Sequence, residues 1–170
     1  MTDRAKRWLG VLLALAVGLV LAWGSARSTP RVACPDTTTV IVSTRDHRLV
    51  LCEASKTVAT FPIALGRGGV GKRAEGDKKT PLGLCELGDP RPSARFGRFI
   101  PIGYPTPEQR KQGLTGTDVG IHGPDRRIRW VGAVSTWVDW TSGCVAVARD
   151  RDIEAIASFV RKVRPHVEIR

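Results

Sequence analysis

Hydrophobic residues along the chain fall into one long N-terminal run and a series of shorter runs. The long run covers residues 8–24, carries no charge, is rich in Leu, Val and Ala, and follows a basic start. As a helix it would span roughly 25 Å, slightly less than the ~30 Å hydrocarbon core of a bilayer. A basic start, an apolar centre and small residues behind it are typical of a secretory signal, and an uncleaved anchor is the alternative. We therefore predict an apolar export helix, acting as signal peptide or membrane anchor, at residues 1–26 and a linker at 27–36.

Beyond the linker, the apolar residues form short β-branched runs separated by Gly, Pro and charged residues, as in strands joined by turns. Near the C-terminus the spacing changes to that of a helix, with Asp150 as the predicted N-cap and Pro165 as the stop. We therefore predict a mainly β domain over residues 37–170 with one C-terminal helix. Strands are predicted at 37–43, 49–52, 57–65, 80–87, 98–102, 119–122 and 166–169, a strand or turn at 145–147, one helical turn at 107–112, a loop holding three Trp at 129–140, and a helical stripe of Ile153, Ile156, Ala157, Val160 and Val163.

A glycine-rich, charged stretch at residues 66–79 has the composition of a phosphate-binding loop. It lacks the Gly-Lys-Ser/Thr ending of such loops, and nucleotide chemistry is rare outside the cytoplasm. We predict a surface loop here, and a position at the rim of a substrate site is the second interpretation.

The charge of the chain indicates an anionic partner. Lys and Arg number 27 against 16 Asp and Glu, which gives a net charge of +11. For an exported domain, an anionic cell-wall or membrane surface is the expected partner, although basic residues also simply keep a protein soluble. Nucleic acid is not expected, because the chain has no helix-turn-helix pattern and no basic motif interleaved with aromatic residues.

Four cysteines are present: Cys34, Cys52, Cys85 and Cys144. In an oxidising compartment, pairing is expected. Cys52 could pair with Cys34 or with Cys85, and spacing does not decide between the two.

Cys144 is the strongest candidate for chemistry. It directly follows Gly143, and His122 directly precedes Gly123. A thiol and an imidazole are the minimum parts of a cysteine nucleophile with its base, and the backbone amides of Ser142, Gly143 and Cys144 could bind an oxyanion. The alternative is an inert or disulfide-bonded Cys144 with a structural His122. Neither Cys-x-x-Cys nor His-x-x-x-His spacing occurs, so we predict no metal site.

These residues carry a family resemblance. Ile-His-Gly at 121–123, Asp-Trp-Thr-Ser-Gly-Cys-Val-Ala at 139–146 and Gly-Asp-Lys-Lys-Thr-Pro-Leu-Gly at 76–83 resemble the L,D-transpeptidase (YkuD-type) catalytic domain. Segments 93–96 and 103–105 resemble its central segments. The Asp-Trp-Thr-x-Gly-Cys form is similar to the branch of murein transpeptidases called YafK-like. The resemblance extends from about residue 38 to residue 169.

The resemblance implies a YkuD-like mixed β-sheet and a role for each site residue. Cys144 would attack a peptide carbonyl of a peptidoglycan tetrapeptide stem, His122 would accept the thiol proton, and the carbonyl of Gly123 would orient the imidazole. The acyl group would then pass to an amine, without metal or cofactor. With water as acceptor, the enzyme would be a carboxypeptidase or amidase. A wall-binding module with a structural Cys144 is the non-catalytic alternative.

Two residues depart from the pattern of the family. Ser142 stands where many members have His, and Ala146 stands where many have Arg, so the sequence leaves the acceptor open. Candidate substrate contacts are Tyr104, Arg126, Trp140 and Thr141, with Arg127, Arg129 and Arg149 as other possible sources of the missing positive charge. The expected location is the periplasm or cell envelope, with anchoring in the inner membrane as an option.

Overall fold

Short β-branched strands build most of the domain. A computed structural model describes residues 32–170, so the predicted signal peptide or anchor and part of the predicted linker lie outside the described residues. Within residues 32–170, no helix is long and apolar enough to cross a bilayer. The strands are β1 Thr39–Ser43, β2 Arg48–Glu53, β3 Lys56–Ala64, β4 Gly83–Glu86, β5 Arg91–Ser93, β6 Gly97–Pro101, β7 Gly120–His122, β8 Val145–Val147 and β9 His166–Ile169; the helices are α1 Pro107–Lys111 and α2 Asp150–Val163, and a 3-10 segment covers Arg129–Thr136.

The nine strands form a single mixed sheet in the order β4-β9-β1-β2-β3-β8-β7-β6-β5. Neighbours are antiparallel except for β1 with β9 and β7 with β8, which are parallel. An isolated bridge between Leu87 and Ile102 links the chain after β4 to the chain after β6. The two ends of the sheet therefore approach each other, and the sheet is curled.

Alternation along the strands separates two apolar clusters. Val40 and Val42 face the main core, whereas Ile41 between them packs with Val50 and Cys52 on the other face. This period of two follows from the pleat, which points successive side chains to opposite faces. Four of the five residues in the predicted stripe of helix α2 are buried in the main core, namely Ile153, Ile156, Ala157 and Val160. The mainly β fold with one C-terminal helix is confirmed.

Three local predictions were wrong. Strand β5 was missed, because its residues are polar or proline and mostly exposed, as is usual at a sheet edge. The stretch predicted as a loop at 129–140 contains the 3-10 segment Arg129–Thr136, which is interrupted by a kink at Gly132. The N-cap of helix α2 is Arg149 rather than Asp150. The carboxylate of Asp150 instead accepts a hydrogen bond from Arg129 at 2.8 Å.

A disulfide joins Cys34 to Cys52 across 18 positions of sequence. Of the two pairings that the sequence left open, this is the one formed; Cys85 and Cys144 are free thiols. The bond fastens the end of the predicted linker to strand β2, next to the cluster of Ile41 and Val50.

We expect the double variant Cys34→Ser/Cys52→Ser to lower the free energy of unfolding by roughly 3 kcal/mol, because the bridge closes a short loop in the unfolded chain. Denaturant unfolding checks this, and the reduced wild-type protein should match the variant. Equal stability of the oxidised and reduced proteins would contradict the expectation.

Candidate active site

The parallel pairing of β7 and β8 brings His122 and Cys144 to one face of the sheet. Ile121 pairs with Val145, and both are fully buried in the main core. Because side chains alternate along a strand, the next residue after Ile121 and the one before Val145 project from the opposite face. These residues are His122 and Cys144. His122 ends β7 and Cys144 lies directly before β8, so the two residues are placed diagonally across the start of the ladder.

The imidazole of His122 is held from three sides. Its Nδ1 donates to the carbonyl oxygen of Gly123 at 2.7 Å. Phe96 stacks on the ring with centroids 3.8 Å apart, and Trp140 approaches it edge-on at 5.8 Å. With the proton on Nδ1, Nε2 carries the free lone pair and can accept a proton.

His122 is neutral at pH 7. It is 1% exposed, and burial lowers its pKa from 6.5 to about 4. The hydrogen bond to Gly123 opposes this shift, the charge of Arg95 adds to it, and the charge of Asp125 opposes it. An imidazole in this state is a base and not a cation.

The buried imidazole makes folding stability depend on pH. Above pH 6.5 neither the folded nor the unfolded state protonates His122, and its contribution to stability is fully present. Between pH 6.5 and about 4 only the unfolded chain takes up the proton, so we expect a loss of roughly 3 kcal/mol over this interval. Denaturant midpoints measured across the interval check this loss. His122→Asn keeps a donor toward Gly123 and should remove most of the slope; an unchanged slope would assign it to other groups.

The thiol of Cys144 is also neutral at rest. The residue is half-buried, and its Sγ lies 3.5 Å from the carbonyl oxygen of Asp118. Burial raises the pKa of the thiol; the backbone N–H of Gly120 and the charges of Lys72 and Arg95 act in the opposite direction without cancelling this. Both groups are therefore uncharged at rest, one a thiol and the other an imidazole.

Thr141 fastens the turn that carries Cys144. Its hydroxyl accepts from the amide of Gly143 at 3.1 Å and donates to the carbonyl of Cys144 at 2.7 Å. Two residues earlier, Asp139 accepts from the amide of Leu65 at 2.7 Å and lies 3.1 Å from Nε2 of His47. The turn is thus tied both to itself and to strand β3.

Gly143 is required by this turn. Its φ is +123°, and a Cβ at this position would lie 2.7 Å from the carbonyl oxygen of Lys79. We expect Gly143→Ala to lower the free energy of unfolding by on the order of 2 kcal/mol and to displace Cys144. The control is Gly113→Ala, which shares a positive φ of +78° but meets nothing within 4 Å. Thermal unfolding of both variants separates the clash with Lys79 from the backbone strain; equal losses would rule out the clash.

The glycine-rich loop at 66–79 packs on the same turn. The amide of Arg67 donates to the carbonyl of Thr141 at 3.0 Å. Lys72 is 5% exposed, so the prediction of a simple surface loop was wrong for this residue. Its Nζ contacts the carboxylate of Asp77 at 2.9 Å. The loop therefore forms one wall beside Cys144.

Asp77 occupies the position that an anion would take in a phosphate-binding loop. Its carboxylate accepts from the amides of Arg73, Ala74 and Lys79 at 2.8, 3.0 and 3.0 Å. Burial alone would raise the pKa of Asp77, but these bonds and the ammonium of Lys72 outweigh it and hold that pKa well below its usual range. The amides are already bonded to the protein's own carboxylate, which agrees with the rejection of a phosphate site.

Residues 37–169 match the family model of the L,D-transpeptidase catalytic domain (YkuD). The chain belongs to this family. Comparison with curated proteins gave no match.

Solved structures with the same fold include three from bacteria. The helical cell shape determining protein Pgp2 from Campylobacter jejuni is 25% identical, with a TM-score of 0.64, covering 81% of this chain and 49% of that one. Bd1075 from Bdellovibrio bacteriovorus is 18% identical, with a TM-score of 0.57, covering 81% and 51%. An L,D-transpeptidase from Mycobacterium smegmatis is 10% identical, with a TM-score of 0.51, covering 78% and 58%. This chain thus spans about half the length of the structures it matches.

The predicted substrate residues of this L,D-transpeptidase domain divide into two groups. The hydroxyls of Tyr104 and Thr141 are bonded inside the protein, Tyr104 donating to the carbonyl of Lys72 at 2.9 Å, so neither hydroxyl is presented to a ligand. The ring of Tyr104 lines a cleft of about 500 Å³ between β4 and α1, whose lining includes neither Cys144 nor His122. Trp140 is half-buried against His122, whereas Arg126 is exposed.

The three predicted oxyanion donors are not equivalent. The amide of Gly143 donates to Thr141, so it is already satisfied within the turn. The amides of Ser142 and Cys144 remain as the predicted donors. Among residues 32–170, no group of three or more His, Cys, Asp or Glu side chains is arranged to hold a metal ion.

Sequence reasoning missed the residues that hold the imidazole of His122. Phe96 stacks on it, and Arg95 lies 4.9 Å above the other side of the Phe96 ring. Arg95 is itself fixed by Asp125, with Nε 2.8 Å from the carboxylate. Asp125 is 6% exposed, and hydrogen bonds and charges from Arg127 and Arg95 outweigh the effect of burial to keep its pKa below its ordinary value. The sequence feature that could have indicated Phe96 and Arg95 is segment 93–96, which resembles a central segment of the family.

Proposed function

We propose that this domain is an exported cysteine enzyme that cross-links peptidoglycan by L,D-transpeptidation. The observation that carries the proposal is the placement of Cys144 and His122. His122 ends β7, Cys144 directly precedes the parallel strand β8, and the imidazole is held by Gly123 with Nε2 free to accept a proton. Membership of the L,D-transpeptidase family supports a peptidoglycan stem as the substrate.

The first half of the reaction forms an acyl-enzyme. As Sγ of Cys144 attacks the peptide carbonyl before the terminal D-alanine of a tetrapeptide stem, Nε2 of His122 takes the thiol proton. The amides of Ser142 and Cys144 would stabilise the oxyanion. When the carbon–nitrogen bond breaks, the imidazolium returns its proton to the leaving amine and a thioester remains.

The second half transfers the acyl group. An amine of a neighbouring stem attacks the thioester and loses a proton to Nε2, and the carbon–sulfur bond breaks. The departing sulfur takes the proton back, so both catalytic groups end neutral. This resting state agrees with a lowered imidazole pKa and a raised thiol pKa.

The neutral resting state also suits the proposed compartment. A free thiol is less prone to oxidation when it is not a thiolate, since the thiolate is the reactive form. The disulfide between Cys34 and Cys52 is typical of proteins outside the cytoplasm. Both features support export to the periplasm or cell envelope.

The test is incubation of the full chain with purified disaccharide tetrapeptides, followed by mass spectrometry of the products. Cross-linked dimers are the expected product. Tripeptides without dimers would assign the acyl group to water and make the protein a carboxypeptidase. No product from protein with an intact Cys144 thiol would refute both reactions.

A further inference from the structure

An exposed apolar surface lies near the site within residues 32–170. The 3-10 segment and its ends expose Trp130 by 82%, Trp137 by 77%, Val138 by 65%, Val134 by 47% and Ile128 by 37%. We name these five residues the Trp patch. Monomeric proteins rarely expose two tryptophans to this extent, and contiguous apolar patches of this kind mark interaction surfaces.

The inner side of the segment is firmly attached to the domain. The hydroxyls of Ser135 and Thr136 are buried and donate to the carbonyls of Gly132 and Ala133 at 2.7 and 2.9 Å. The indole of Trp140, which lies edge-on to His122, donates to the carbonyl of Ser135 at 3.0 Å. The Trp patch is therefore the outer face of an ordered segment that is joined to His122 through Trp140.

All charged residues from 126 to 138 are arginines, two of which contact carboxylates outside this range. Arg126, Arg127 and Arg129 are exposed, and no Asp or Glu occurs between residues 126 and 138. Arg127 and Arg129 contact Asp125 and Asp150, whereas Arg126 has no carboxylate partner within residues 32–170. The patch is thus apolar with a basic border, on a chain of net charge +11.

We propose that the Trp patch docks the domain on the surface of an anionic lipid bilayer. Tryptophan favours the interface between headgroups and acyl chains, where its apolar ring is buried and its N–H stays hydrated. Arginines at the border would contact anionic headgroups, each adding about 1 kcal/mol. An apolar face with basic flanks is the composition of segments that lie in the membrane plane.

The composition of the Trp patch favours lipid over two other occupants. A glycan strand would need directed polar groups for its hydroxyls, but the two hydroxyls of the segment, Ser135 and Thr136, point inward. A second copy of the chain would bring the same arginines against each other, and like charges across an interface are costly. Docking on a bilayer does not depend on which acceptor the enzyme uses.

The test uses the full chain with Trp8→Phe and Trp23→Phe, so that the fluorescent tryptophans are those of the described domain. Vesicles carry brominated lipids, which quench indoles that enter the acyl region. We expect quenching in vesicles of phosphatidylcholine with phosphatidylglycerol and little in phosphatidylcholine alone. Arg126→Gln/Arg127→Gln should reduce the quenched fraction at least fivefold, since each arginine near an anionic surface contributes about that factor in binding.

The matched control is Arg161→Gln/Lys162→Gln, which removes two exposed charges from the end of helix α2 and should leave quenching unchanged. Equal thermal midpoints for all variants confirm folding. Quenching that is absent, independent of phosphatidylglycerol, or unaffected by loss of Arg126 and Arg127 would overturn the proposal. Two results with the variant Trp130→Ser/Trp137→Ser would also overturn it. One is loss of binding to lipid-free peptidoglycan sacculi, and the other is conversion of a dimer to a monomer in sedimentation.

Discussion

The variant Cys144→Ser should lose turnover of tetrapeptide stems by about 10⁴-fold or more, because serine cannot be activated by the base that this site provides. The pKa of His122 is about 4, so its imidazole is a weak base. Such a base can assist a thiol, whose proton is relatively acidic and whose sulfur is strongly nucleophilic. A hydroxyl proton is far less acidic, and burial beside the Asp118 carbonyl gives it no further help.

Product formation followed by mass spectrometry checks the loss. The matched control is Cys85→Ala, which removes the other free thiol from a position 2% exposed on strand β4. That control should retain turnover close to wild type and should not alter alkylation of Cys144. A Cys144→Ser variant with more than a few per cent of wild-type activity would remove Cys144 from the reaction.

The second large effect is expected for His122→Ala, with a fall in turnover of roughly 10²- to 10⁴-fold at neutral pH. In the proposed mechanism the imidazole accepts the thiol proton and returns it to the leaving amine. The other two histidines offer no substitute, because His47 bonds Asp139 and His166 lies exposed on strand β9. In the wild-type enzyme, activity should fall only as the pH drops toward about 4, where the imidazolium can no longer accept a proton.

Two measurements distinguish this role from a structural one. Alkylation of Cys144 at neutral pH should be slower in His122→Ala than in the wild type. Above pH 6.5 the thermal midpoint of this variant should fall only because the packing of the ring is lost. His166→Ala is the control and should leave the rate, its pH dependence and alkylation unaltered. Identical alkylation rates in wild type and His122→Ala would mean that His122 is not the base.

Periodicity predicted most of the fold because burial is encoded locally. Runs such as Thr-Val-Ile-Val-Ser at residues 39–43 alternate between two buried faces, and the stripe in helix α2 follows a helical period. Strand β5 carries no such pattern, because an exposed edge needs no apolar side chains. Its pairing with β6 depends on residues that no local pattern specifies.

The sequence predicted the reactive residues of the candidate site but not the residues that hold the imidazole in place. Cys144 and His122 stand out because each adjoins a glycine in an apolar run. The contact of Phe96 with the imidazole, of Arg95 with Phe96 and of Asp125 with Arg95 arises only when segments separated along the sequence meet in the fold. The sequence did not indicate the internal bonds of Tyr104 and Thr141, whose hydroxyls each donate to a carbonyl of the protein itself; substrate contact by either residue stays a prediction.

Because β7 and β8 are parallel, the segment that connects them can vary in length and sequence. Parallel neighbours require a crossover connection, and here it comprises residues 123–144. The ladder fixes both ends of the crossover, with His122 before it and Val145 directly after Cys144, so its middle can change in length and sequence without moving the two candidate catalytic residues. An enzyme built this way can exchange its outer segment as a module, and with it the surface on which it works, while the chemistry stays the same.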